Sequence, residues 1–204
     1  MTLILKDVKS PRKDYGRLED GTYPARIVQV VDFGIQKQTD WQTGEETDPK
    51  PRLMITWEVP GETITIEDKE GNSEERPRWQ GREYTISSFE QAGLMKLVSA
   101  LKPDLESFDE LLNLPCMIQV GSTSGGKAKI TSVMSMPKGV PVGDLANEPT
   151  MFDFDNPNRE LFESLPNWQQ EKIKSALNYD GFADTWTKEA VESSDDDEGE
   201  DVPF

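Results

Sequence analysis

The stretch Gly21-Thr22-Tyr23-Pro24-Ala25-Arg26-Ile27-Val28-Gln29-Val30-Val31-Asp32-Phe33-Gly34-Ile35 decides the fold class. Tyr23, Ala25, Ile27, Val31, Phe33 and Ile35 recur at mostly two-residue spacing, with Val28 and Val30 on the other face. That is the period of a β-strand. A long first strand is expected, bent near Gly34.

Working outward, Asp40 to Pro51 contains Thr43-Gly44 and Pro49 and reads as a loop. Leu53, Ile55, Trp57 and Val59 then alternate with Arg52, Met54, Thr56 and Glu58, giving a half-buried strand stopped by Pro60-Gly61. A short strand near Thr63 to Ile66, a polar turn at Gly71-Asn72-Ser73 and a strand over about Arg82 to Ser88 follow. Phe89, Ala92, Leu94, Leu97, Val98 and Leu101 change the period to that of an amphipathic helix, with Ser88 as N-cap and Pro103 as stop. After a short helical stretch near Phe108 to Leu112, the runs Cys116 to Val120 and Lys127 to Val133 flank a Gly/Ser-rich turn and read as a hairpin. The expectation is a mainly β fold, an OB-like five-stranded barrel with one inserted helix over residues 18–137; a small sandwich is the alternative.

Four segments are expected. Residues 1–20 form an irregular arm carrying Lys6, Lys9, Arg12 and Lys13, and residues 21–137 form the barrel domain. Residues 138–187 form a linker and a helical appendage centred on Pro166 to Leu177, which has too few apolar residues to stand alone and must dock. Residues 188–204 form a disordered acidic tail.

Charge is distributed accordingly. Residues 1–145 carry 18 Lys and Arg against 23 Asp and Glu, whereas residues 146–204 carry 4 against 16. Most of the net charge of −17 therefore belongs to the C-terminal quarter and says little about patches on the body.

Several chemistries are excluded. With no histidine, His-based triads and His metal sites are impossible, and the single Cys116, set among apolar residues, makes neither an intramolecular disulfide nor a thiolate zinc cluster. Gly121-Ser122-Thr123-Ser124-Gly125-Gly126-Lys127 satisfies the GxxxxGK part of a phosphate-binding loop, but Ala128 replaces the metal-holding hydroxyl and a strand, not a helix, is expected to follow. Asp153 and Asp155 lie in a linker-like stretch and read as solvated. Leu3-Ile4-Leu5 is too short for a secretory core, so a cytoplasmic location is expected. No enzyme activity, cofactor or metal is expected.

The tail is the most informative element. Residues 189–204 hold eight acids and no basic residue, and end in Val202-Pro203-Phe204. An aromatic ring beside a terminal carboxylate fits an apolar pocket with a basic rim, which acids upstream help to find. Asp195-Asp196-Asp197, Glu200-Asp201 and Val202-Pro203-Phe204 resemble the acidic tip of bacterial single-stranded DNA-binding proteins. The body lacks the usual bacterial sequence and is similar in architecture to phage replication single-stranded DNA-binding proteins. The resemblance implies that Phe204 and Pro203 dock into replication, recombination or repair proteins, supported by the acids.

A single-strand-binding body needs cations for phosphates and exposed rings for bases. The densest such stretch is Arg76-Pro77-Arg78-Trp79-Gln80-Gly81-Arg82-Glu83-Tyr84. Further candidates are Lys37 and Trp41 near the first loop, Arg52, and Lys127 and Lys129 on one face of the last strand. Trp57 alternates with Leu53, Ile55 and Val59 and belongs to the core. The expected function is sequence-tolerant binding of single-stranded DNA, with possible self-association. The competing reading is an interaction adaptor or virion component using the same tail, and a weaker one is an acidic-site nuclease.

Overall fold

The computed structural model describes residues 17–40, 42–67 and 71–182. Its organising element is β1, Gly21–Thr39. Ala25, Ile27 and Val30 face one core, whereas Val31 and Phe33 face a second on the opposite side of the sheet. The strand is thus buried on both faces, which explains its nearly continuous apolar run from Ile27 to Phe33. Its bend is at Gly34, where φ is +67° and an added Cβ would lie 2.6 Å from the Phe154 ring. Only glycine meets both demands there.

β2 (Glu46–Glu67) and β3 (Ser73–Thr85) form a long hairpin beside β1, and β4 (Pro115–Ser122) and β5 (Ala128–Ser135) form another on its far side. The antiparallel order is β3-β2-β1-β4-β5, and a short β6 (Thr150–Phe152) pairs parallel with Gln29 to Val31 of β1. β2 and β3 differ from expectation. The loop after β1 spans only residues 40–45, and Pro60-Gly61 does not end β2, because an irregularity between Val59 and Thr63 absorbs it. β3 begins at Ser73 rather than Arg82: its polar first residues are exposed, and cross-strand pairing such as Ile64 with Arg76 holds them in the ladder. Apolar alternation cannot reveal a strand that extends beyond its core.

The sheet curls, but backbone pairing does not close it. Gln80 Nε2 reaches Ala128 O at 3.5 Å, and Arg82 Nη1 reaches Ile130 O and Thr131 O at 3.3 and 3.4 Å. These side chains span the seam between edge strands β3 and β5, where the expected closed barrel would have a ladder. α1 (Gly93–Leu101) buries Leu94, Leu97 and Val98 in the first core. It starts later than the apolar spacing predicts: Ala92 is the N-cap, and Phe89, 78% exposed, lies outside the helix in a turn where its N–H donates to Ser87 Oγ. A 3-10 turn at Phe108–Leu111 is closed by a reciprocal Ser107–Glu110 capping box.

Trp57, Leu53, Ile55, Tyr84, Cys116 and Ile118 anchor the first core. Burial pushes the Cys116 thiol up to about 12, opposed by the Trp57 indole, so the sulfur is an inert packing group at neutral pH. The second core joins Val31 and Phe33 to Phe152, Phe154, Phe162, Ile173 and Phe182. Here α2 (Arg159–Ser164) and α3 (Asn167–Lys174) dock, with Phe152, Phe162 and Phe182 mutually in contact at ring separations of 5.8 to 6.1 Å. The appendage is therefore integral: β6 extends the sheet, and Leu177 N–H bonds to Ile35 O. Among the described residues, no helix is long and apolar enough to cross a membrane.

Candidate nucleic-acid interface

On β3, Trp79 is 46% exposed and stands in a cleft of about 440 Å³ with Arg76, Arg78, Ile64, Ile66 and Asn147. Arg17 completes the cleft from the chain before β1, and its guanidinium also bonds to Gly126 O at the tip of the β4–β5 hairpin. No carboxylate is among the described residues lining this space. Arg76 is ion-paired to Glu74 at 2.5 Å, but both partners are exposed, so the pair is weak and exchangeable.

Glu58 sets the orientation of Trp79. This fully buried side chain faces Trp79 across the β2–β3 ladder. Its Oε2 accepts from Trp79 Nε1 at 3.0 Å and from Asn147 Nδ2 at 2.6 Å, while Oε1 accepts from the Ala146 N–H at 2.6 Å. Three donors satisfy a charge that would otherwise be costly to bury. One carboxylate thus fixes the indole edge and ties the segment before β6 to the cleft wall.

The other candidates separate. Tyr84 is 4% exposed and stacks edge-to-face on Trp57 at 6.5 Å, so its ring is a core group unavailable to a base. Alternation places it inward beside Leu53 in the ladder. Burial raises its hydroxyl to about 12, eased by Arg82, whose guanidinium lies 4.9 Å from the ring centroid. Arg52 bonds to Glu83 at 2.6 Å and to Thr85 at 2.7 Å, and Lys172 of α3 joins the same Glu83. Arg52 therefore serves the docking of the appendage. Lys37, Lys127 and Lys129 are exposed and do not line the cleft. Trp41, the arm residues Lys6, Lys9, Arg12 and Lys13, and the tail residues Asp195, Asp196, Asp197, Glu200, Asp201, Val202, Pro203 and Phe204 lie outside the described residues.

Gly121 and Ser122 end β4 and Thr123 to Lys127 turns into β5, which starts at Ala128, so no helix follows the GxxxxGK match. Asp153 and Asp155 border a groove with Asp32 and flank the core residue Phe154, rather than lying in a free linker. Burial raises the Asp32 carboxyl; the Gly34 N–H opposes this, and Asp153 and Asp155 add to it. Among the described residues, no group of three or more acidic or Cys side chains is arranged to hold a metal ion.

Sequence reading missed Arg17, Glu58 and Asn147, which meet Trp79 from distant parts of the chain. The one available signal was Glu58 itself, an acid at the end of an apolar alternation. It also missed Trp168 of α3 as a surface ring, half exposed and edge-to-face with Phe33 at 6.1 Å. Comparison with known protein families, curated proteins and solved structures returns no match to this chain.

Proposed function

We propose that the chain binds single-stranded DNA through the Trp79 cleft and recruits replication, recombination or repair proteins through residues 195–204. One observation carries the reading: a half-exposed tryptophan, its edge pinned by Glu58, shares a cleft with Arg17, Arg76 and Arg78 in a protein of net charge −17. Base stacking on an aromatic ring beside phosphate-binding cations is how sequence-tolerant single-strand binders work. The strand order supports an OB-like reading of the body, since β3 and β5 are neighbours across the seam and α1 lies between β3 and β4. In that class the face of strands 2 and 3 takes oligonucleotides. The resemblance of residues 195–204 to acidic docking tips supports the second half of the proposal.

A gel shift with labelled oligo(dT), oligo(dA) and duplex tests it. Both single strands are expected to shift, with quenching of tryptophan fluorescence and loss of binding as salt rises. Absence of a shift with either single strand at low salt overturns the reading in favour of an adaptor that uses the tail without nucleic acid, and metal-dependent cleavage would point to a nuclease.

A further inference from the structure

Cavity charge is segregated along this sheet. Among the described residues, the lining of the Trp79 cleft has three arginines and no acid, whereas that of the groove beside Asp32, Asp153 and Asp155 has acids and no cation. A further cavity of about 410 Å³ follows the cationic pattern. It lies farther along the β3–β5 seam, where Arg82 of β3, Lys96 of α1 and the hydroxyl residues Thr131 and Ser132 of β5 converge, again with no carboxylate among the described lining residues. Arg82 Nη1 is held by the β5 carbonyls, while Nη2 lies toward Gly93, 3.7 Å from where a Cβ would stand. Lys96 is exposed and makes no ion pair among the described residues.

We infer that this cavity is a phosphodiester subsite, with Lys96 and Arg82 as the cations, and that a polynucleotide follows the β3–β5 seam from the Trp79 cleft to α1. The inference rests on the single-strand reading above and goes beyond it by assigning the strand's path and a contact on the helix. Arg78, Gln80 and Arg82 are alternate residues of one strand and point to one side of β3, opposite to the Trp79 side chain; Arg78 and Gln80 line the cleft and Arg82 lines the cavity, so the path joins the two around this edge strand. A phosphate in the cavity meets two positive charges and the Ser132 hydroxyl, Thr131 Oγ1 already donating to Gln119 O at 3.1 Å; a base there would meet no exposed ring, because Tyr84 is buried. Recognition at this end is therefore of the backbone and indifferent to sequence.

Lys96 provides the test, because its exposed side chain makes no hydrogen bond or ion pair among the described residues, whereas Arg82 also braces the seam. Equilibrium binding of oligo(dT), oligo(dA) and oligo(dC) is measured against salt for the wild type, Lys96→Ala, Lys96→Arg and a control, Arg159→Ala, which removes one charge from the appendage. Loss of one phosphate contact lowers the log–log salt slope by about 0.7, equivalent to about 8-fold weaker binding at 50 mM than at 1 M salt relative to wild type. Lys96→Ala is expected to show this loss equally for all three oligonucleotides, with Trp79 quenching retained. Lys96→Arg should restore the slope, and Arg159→Ala should leave it unchanged. Wild-type slope and affinity in Lys96→Ala would overturn the subsite while leaving the Trp79 cleft standing. Failure of the wild type to bind any single strand would overturn both.

Discussion

Trp79 and Glu58 face each other across the β2–β3 ladder, and the indole Nε1 donates to the buried Glu58 Oε2 at 3.0 Å. The pairing leaves the ring half exposed while removing its one polar atom from competition for solvent or ligand. Trp79→Ala should weaken single-strand binding by about 1 to 3 kcal/mol, and it also takes one of the three donors from the buried Glu58, with some loss of stability. Glu58→Gln should act differently. Its amide turns N–H donors toward the Trp79, Asn147 or Ala146 donors, so stability falls by about 1 to 3 kcal/mol. Urea unfolding together with oligonucleotide titration separates the two, since both variants lose stability but only Trp79→Ala removes the stacking ring and with it affinity in the folded protein.

Docking of the appendage should respond to acid through Glu83. Burial pushes this carboxyl up, but the hydrogen bonds and charges of Lys172 and Arg52 together outweigh it and hold Glu83 below its ordinary value of 4.5. A carboxyl lowered in the folded state contributes stability that is fully present above the unfolded value. It is lost as pH falls below 4.5 and through the lowered folded value. Glu83→Gln should remove this portion of the acid dependence. Trp168 fluorescence in a background lacking the other tryptophans reports it: identical acid transitions in wild type and variant would show that the Glu83 bridge does not hold α3.

The core was legible where burial and local period agree. Leu53, Ile55, Trp57 and Val59 alternate and all lie in the first core. The same rule, continued to Tyr84, would have placed that ring inside; its basic neighbours suggested the opposite, but Arg82 turns along the seam instead. Asp153 and Asp155 read as part of a linker-like stretch, since nothing local tells that Phe152 and Phe154 beside them meet a second apolar face of β1. The cleft itself is a long-range product: Arg17, Glu58, Trp79 and Asn147 are joined by tertiary contacts that leave no periodic trace.

Removal of residues 189–204 tests the acidic tail. It deletes eight negative charges, which can compete with phosphates for a cationic cleft. Single-strand affinity should rise, most at low salt, where screening is weakest. Phe204→Ala should leave that affinity nearly unchanged while impairing capture of replication or repair proteins. Equal affinities of full-length and truncated chains at low salt would remove the competition, and undiminished capture by the truncated chain would remove the docking role.

Asp32 offers a stability prediction of opposite sign to that for Glu83. Burial raises its carboxyl above the ordinary value of 3.8; the Gly34 N–H, bonded to Oδ1 at 2.8 Å, works against this, and Asp153 and Asp155 reinforce it. A carboxyl raised in the folded state binds its proton more tightly there than in the unfolded chain, so the ionised form lowers stability at neutral pH. That loss is recovered as pH falls through the raised folded value and has disappeared below the unfolded value near 3.8. Asp32→Asn keeps an acceptor oxygen for the Gly34 N–H while removing the charge and its repulsion. The variant should therefore melt at a higher temperature than wild type at pH 7, and the difference should shrink toward zero below about pH 3.8. Thermal unfolding across that range checks both parts: a gain that persists unchanged in acid would mean the substitution acts through packing, and no gain at pH 7 would mean that the three carboxyls do not oppose one another in the folded protein.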